Sequence, residues 1–149
     1  MGIIEKANIN DLKEILDLQH FAYITEAERF NNMNIQPLTE TLDELKEEFN
    51  NGLVLKLTID NKIIGSIRAY ELNDTIHIGK LMVHQTYRNK GYGSMLLSKI
   101  EEYYPNKRYE LFTSTRSIEN IRMYERLGYK PFKTEKIDDE LEFIYLEKS

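Results

Sequence analysis

The sequence predicts an α+β fold in which helices cover a mostly antiparallel central sheet. Three observations lead to it. Between residues 53 and 83 the apolar side chains recur at the period of strands, interrupted at Asp60-Asn61-Lys62 and Asn73-Asp74, which makes an antiparallel meander of three strands. Ahead of it, two segments open with helix-capping residues. Behind it a glycine-bearing turn, Arg88-Asn89-Lys90-Gly91-Tyr92-Gly93, leads into Met95, Leu96, Ile100, Tyr103 and Tyr104 at helical spacing.

The elements follow in order. Ile3–Lys6 reads as a first strand, and Asn8, with Asp11 three residues on, caps a helix whose largely apolar face is Leu12, Ile15, Leu16 and Gln19. Residues 21–38, rich in aromatic and polar groups, read as irregular. Thr41 and Glu44 form a capping box ahead of Leu42, Leu45 and Phe49, with Gly52 at the C-cap. Strands over Leu53–Ile59, 63–72 and Thr75–Val83 follow, the last holding Gly79, an interior glycine of the kind that marks a bulge. The helix entered through Gly91 is succeeded by a strand at 109–113, a helix at 117–127 closed by Gly128, and strands at 129–136 and 141–146. No repeat or linker interrupts this order, so residues 1–149 are expected to form one domain.

Composition narrows the function. At 149 residues, 41% hydrophobic and 30% charged, the chain has the makeup of a soluble globular protein with a substantial core. No apolar run reaches membrane-spanning length and residues 1–6 lack a signal-peptide pattern, so a cytoplasmic protein without a membrane partner is expected. The absence of cysteine removes disulfides, thiolate metal sites and any acyl-cysteine mechanism. His20 and His84 have no recognisable ligand partners, so no metal is expected. A net charge of -5 without a basic face argues against nucleic acid. Lys80, Arg88 and Lys90 gather near the glycine turn, whereas acidic residues cluster at 40–48 and 135–147; an anionic cofactor and a cationic second substrate fit that contrast, as do ordinary solvated faces.

The turn itself reads as a phosphate site. Unpaired N–H groups and the positive end of the helix dipole favour an anion there. Gly91 and Gly93, lacking Cβ, let the backbone approach a diphosphate, and Arg88 and Lys90 add positive charge. Walker spacing is absent, and Leu96 stands where a third Rossmann glycine would be. A turn entering a core helix is the alternative.

These segments resemble the GNAT superfamily of acyl-CoA-dependent N-acyltransferases over essentially the whole chain. Leu81-Met82-Val83 followed by Arg88-Asn89-Lys90-Gly91-Tyr92-Gly93 matches the family's strand, pyrophosphate loop and helix; Asn120-Ile121-Arg122-Met123-Tyr124-Glu125-Arg126-Leu127-Gly128-Tyr129 matches its Asn-x-x-x-Tyr helix and exit. The resemblance implies a sheet with helices on both faces and acetyl-CoA as co-substrate. Main-chain groups of Leu81, Met82 and Val83 would pair with the pantetheine arm, an N–H of Leu81 or Met82 would polarise the thioester carbonyl, and the amides of Asn89, Lys90, Gly91, Tyr92, Gly93 and Ser94 would hold the pyrophosphate beside Arg88. Asn120 would join the cofactor contacts, and Tyr124 would protonate the departing sulfur. Asn120 could equally support its helix N-terminus, and Tyr124 could be a core aromatic beside Ile121 and Leu127.

His77 stands four residues before Leu81, where some members carry a carboxylate base; an imidazole is chemically suited to take an ammonium proton, although a packed or solvent-facing strand histidine is the other reading. Glu71 is a weaker base candidate. By position residues 21–38 are the acceptor-side segment, where Tyr23, Glu26, Glu28 and Arg29 could line an amine pocket. The expected activity is acetyl transfer from acetyl-CoA to a primary amine by direct attack in a ternary complex, in a monomer or homodimer. The acceptor could be a small molecule, a protein N-terminus or a lysine. The rival is a non-catalytic acyl-CoA-binding sensor or interaction module.

Overall fold

The computed structural model describes residues 2–29 and 33–149, Arg29 by its backbone alone. One seven-stranded sheet runs in the order β1-β2-β3-β4-β5-β7-β6, from β1 (Ile3–Lys6), β2 (Leu53–Ile59), β3 (Lys62–Leu72), β4 (Thr75–Val83), β5 (Arg108–Ser114), β6 (Lys130–Lys136) and β7 (Glu142–Lys148). Only β4 and β5 pair in parallel. The meander turns close as expected. Asp60 and Asn61, then Asn73 and Asp74, all have positive φ, the backbone that two-residue hairpins require and that Asn and Asp tolerate.

Helices α1 (Leu12–Arg29), α2 (Gln36–Thr39) and α3 (Leu42–Asn51) precede the meander; α4 (Tyr92–Tyr103) and α5 (Ile118–Arg126) flank β5. The Asn8 and Thr41 capping boxes are both formed. Residues 21–38, expected to be irregular, instead extend α1 to Arg29 and supply α2; residues 30–32 lie outside the described residues. The reason is burial. The stripe Leu12, Ile15, Leu16 and Gln19 continues through Tyr23 to the fully buried Ala27, and this packing outweighs the weak helix preference of Phe21, Tyr23, Ile24 and Thr25. Gly52 does follow α3, but in extended backbone. Its glycine is required because a Cβ there would come within 2.4 Å of the Ala69 carbonyl oxygen.

Two cores sandwich the sheet. On one face Leu96, Leu97 and Ile100 of α4 and Tyr124 of α5 pack with Leu55, Leu57, Ile67, Ile76 and Ile78. On the other, Leu12, Ile15 and Leu16 of α1 and Leu45 of α3 pack with Val54, Ile63 and Met82. Helices thus cover both faces. No described helix is long and apolar enough to cross a membrane.

Candidate active site

The site begins where two strands part. β4 and β5 pair only through Thr75, Ile76 and His77 against Arg108, Tyr109 and Glu110, although both strands continue beyond that point. A bulge in β4 accompanies the parting: Gly79 stands opposite Arg68 and Met82 opposite Ser66, so Lys80 and Leu81 together face the single residue Ile67. The bulge lies just after Gly79, and Lys80 carries its positive φ of 52°. Facing edges of β4 and β5 are left without strand partners, a slot that an extended chain with amide groups can fill. Leu81 and Val83 pack toward α4 and Met82 toward α1, so their main-chain groups are what face the slot.

At the mouth, α4 begins without a side-chain cap. Gly91 precedes it with φ 85°, Asn89 is also left-handed, and the Met95 N–H donates to the Gly91 carbonyl at 3.1 Å. The first-turn N–H groups of Tyr92, Gly93 and Ser94 therefore remain for an anion. A Cβ at Gly93 would meet the side chains of Met123 at 3.3 Å and Leu81 at 4.0 Å. The Arg88 Nε donates to the Val83 carbonyl at 3.3 Å and ties the loop to β4, while Lys90 is exposed. Lys80 does not join this basic group: it interacts electrostatically with Glu40, Arg68 and Glu48 under α1 and α3.

Tyr124 is 6% exposed, its ring 6.2 Å from that of Tyr129, yet its hydroxyl makes no hydrogen bond to a described residue. Burial, then the Glu26 charge, pushes its pKa up. Tyr23 is raised by the same causes, with Arg68 and Arg88 opposing. Both phenols stay protonated at any ordinary pH. Glu26 accepts a hydrogen bond from the Ser117 hydroxyl at 3.2 Å, so that side chain links α1 to the start of α5 instead of capping the helix. Asn120 is exposed in the first turn of α5 and forms no hydrogen bond to the helix N-terminus.

The other expected site residues divide. Because Ile76 and Ile78 face α4, the alternation of β4 turns His77 to the opposite face, where it stacks on Tyr70 at 5.0 Å with Nδ1 3.8 Å from the Glu110 carboxylate. Gly79 shares that face, and a Cβ built there meets nothing within 4 Å, so the space between His77 and the bulge is open. Glu71 is drawn away from the slot into an ion pair with Lys107 at 2.8 Å. Glu28 is exposed, and the Arg29 side chain lies outside the described residues. His84 stacks on Phe21 at 4.9 Å. Among the described residues no cluster of His, Asp and Glu could hold a metal ion.

One group escaped sequence reasoning altogether. Arg68, 4% exposed, donates from Nη1 to Glu40 at 2.8 Å and Glu48 at 3.0 Å and from Nη2 to Gln19, while the Gln19 amide donates to Glu40 at 2.9 Å and to the Pro37 carbonyl at 2.8 Å. This network pins α1, α2 and α3 to β3 opposite the bulge. Burial opposes ionisation of Glu40, but hydrogen bonds from Glu48 and Arg68 outweigh it and lower its pKa to about 2; burial and Glu40 raise Glu48 to about 7. The signal was an arginine inside the buried run Ile63, Ile64, Ile67, Ala69, since a charge there requires partners.

Comparison with known proteins agrees with this geometry. The sequence matches the family described as acetyltransferase (GNAT) over residues 11–129. It is 23% identical over 138 residues to the uncharacterized protein YyaT of Bacillus subtilis, covering 93% of this chain and 88% of that protein. A probable acetyltransferase from Staphylococcus epidermidis superposes with TM-score 0.81 at 15% identity, covering 99% of this chain and 98% of that one. A phosphinothricin acetyltransferase from Sinorhizobium meliloti, solved in complex with AcCoA, gives 0.79 at 14% identity, covering 99% and 87%.

Proposed function

Because this chain belongs to the acetyltransferase (GNAT) family, we propose that it moves the acetyl group of acetyl-CoA to a primary amine by direct attack in a ternary complex, with residues 1–149 acting as one catalytic domain. The observation that carries the reading is the slot between β4 and β5, with an uncapped helix N-terminus at its mouth and the buried Tyr124, whose hydroxyl bonds to no described residue, on the face covered by that helix. Acetyl-CoA fits these groups. Main-chain N–H groups of Tyr92, Gly93 and Ser94 suit its diphosphate, and the unpaired edge of Leu81, Met82 and Val83 suits its amide-bearing arm; when bound it supplies an activated acetyl thioester.

The residues divide the work by face. An amine approaches over the open space at Gly79, and His77, directly or through water, takes the ammonium proton. The N–H of Leu81 or Met82 donates to the carbonyl oxygen as negative charge develops there. Tyr124, on the opposite face of the sheet, gives its proton to the sulfur as the C–S bond breaks, and burial keeps the phenol protonated beforehand. Glu26, close enough to act on both Tyr23 and Tyr124, supplies negative charge for a cationic acceptor. The test is amine-dependent release of CoA thiol across a panel of polyamines, amino acids and peptides. Preference for peptides would identify a protein acceptor, and tight acetyl-CoA binding without transfer to any amine would favour a non-catalytic sensor.

A further inference from the structure

The bulge that parts β4 from β5 brings one of the chain's own amines to the acceptor side. Of the seven described non-glycine residues with positive φ, six are Asn or Asp in turns, and Lys80 is the exception, inside a strand. A left-handed residue bearing a Cβ costs roughly 1–2 kcal/mol, which glycine avoids. Gly79 stands one position away, yet the strained position holds lysine. Such strain is retained where the surroundings over-determine it, commonly at working sites.

Direction and environment follow from the same register. Ile78 and Leu81 pack toward α4, so the two residues between them, Gly79 and Lys80, both turn to the face that the amine approaches. Lys80 is half-buried there, facing Arg68 of β3, Glu40 at the end of α2 and Glu48 of α3. Among the described residues no carboxylate lies within 4.0 Å of its Nζ, because Glu40 and Glu48 both engage Arg68. Burial and the Arg68 charge lower its pKa, with Glu40 and Glu48 opposing, so the neutral nucleophilic form is more accessible than at a surface lysine. Its four-carbon stem exceeds the roughly 3.8 Å between consecutive Cα atoms, and the next two residues are Leu81 and Met82, one of which is proposed above to donate its N–H to the thioester carbonyl.

From this placement we infer that, when no external amine is present, the protein acetylates itself at Lys80, and that the resulting acetyllysine closes the approach over Gly79. The inference rests on the acetyl-transfer reading above. Lys80 Nζ attacks the thioester carbonyl carbon; a C–N bond forms, the C–S bond breaks, and the proton lost from Nζ ends on sulfur. The products are a neutral amide and free CoA thiol, with no change of oxidation state. Loss of the Lys80 charge also removes a cation that favours ionised Glu48.

The experiment incubates the full chain with acetyl-CoA and no amine, then maps acetylation by peptide mass over time. Lys80 should acetylate faster than the exposed Lys13 and Lys136 by on the order of tenfold or more, since it is held beside the bound thioester. Its rate should saturate with acetyl-CoA, and intact mass should show that Lys80→Arg loses the saturable component. Without acetyl-CoA, an amine-selective label should modify Lys80 at lower pH than Lys13. Modification of Lys80 that is slower than at Lys13, or linear in acetyl-CoA, would overturn the inference. If amines are acetylated while Lys80 is spared, only this inference fails; if calorimetry detects no acetyl-CoA binding, the transferase reading fails with it.

Discussion

Replacement of Gly91 separates the backbone of the proposed diphosphate loop from its surroundings. The residue has φ 85° and ψ 4°, and a Cβ added there meets nothing within 4 Å, so Gly91→Val introduces backbone strain without a clash. For an ordinary L-residue that strain is roughly 1–2 kcal/mol, and somewhat more for a β-branched one. If the loop keeps its shape, the loss appears in stability as a fall of a few degrees in Tm, about 2–4 °C per kcal/mol at this chain length. If it relaxes to negative φ, the amides of Tyr92, Gly93 and Ser94 swing away from the diphosphate and the same energy appears as a roughly 5–30-fold weaker Kd. Calorimetric titration with acetyl-CoA alongside thermal melts reads both, and Gly91→Asn, which tolerates the left-handed region, should recover most of the loss. Gly93 gives the opposite sign. It is the second residue of α4, at a backbone alanine adopts, and the nearest neighbour of an added Cβ is the flexible Met123 sulfur at 3.3 Å, so Gly93→Ala should gain about 0.4–1 kcal/mol of stability while weakening acetyl-CoA by placing a methyl group beside the amides proposed for the diphosphate. Unchanged acetyl-CoA affinity in both folded variants would refute the assignment of this loop to the diphosphate.

Tyr124→Phe keeps the ring packed against Tyr129 and should lower kcat by about 10²–10⁴-fold with acetyl-CoA affinity intact; full turnover would make Tyr124 a packing residue, and lost affinity a cofactor contact. His77→Ala should lower kcat/KM by about 10²–10⁴-fold, and unchanged turnover would leave His77 as the stacking partner of Tyr70. Arg68→Met leaves the buried Glu40 without its cation and should cost about 3–5 kcal/mol in chemical denaturation, with Arg68→Lys recovering part of it. Glu48, raised from 4.5 to about 7, holds a proton in the folded chain that the unfolded chain has already released between those values. Stability therefore falls as pH rises through that window, and Glu48→Gln should flatten the slope in pH-dependent melts.

Local chemistry explains which parts of the fold could be read in advance. The hairpin turns, the capping boxes at Asn8 and Thr41, and Gly128 with φ 98° after α5 are decided by residues a few positions apart, so their sequence signals suffice. The extension of α1 through Phe21, Tyr23, Ile24 and Thr25 depends instead on burial of Ala27 and on packing of Tyr23 against a core that includes residues of distant strands, which no local preference encodes. The glycine turn and the Tyr124 helix were legible as local structure because each is one contiguous motif. The Arg68 network was not, since Gln19, Glu48 and Arg68 come from three elements and Glu40 from the connection after α2, and they meet only in the fold. The bulge at Lys80 was nearly legible. Gly79 marked the place, but the positive φ fell on the residue after it.

Transfer itself is the decisive observable. Purified chain, acetyl-CoA and a broad panel of amines should give CoA thiol and acetylated amine in equal amounts, at a rate saturable in both substrates. Tight acetyl-CoA binding with no acetylated amine from any member of the panel would contradict an enzymatic role and leave a cofactor-binding module.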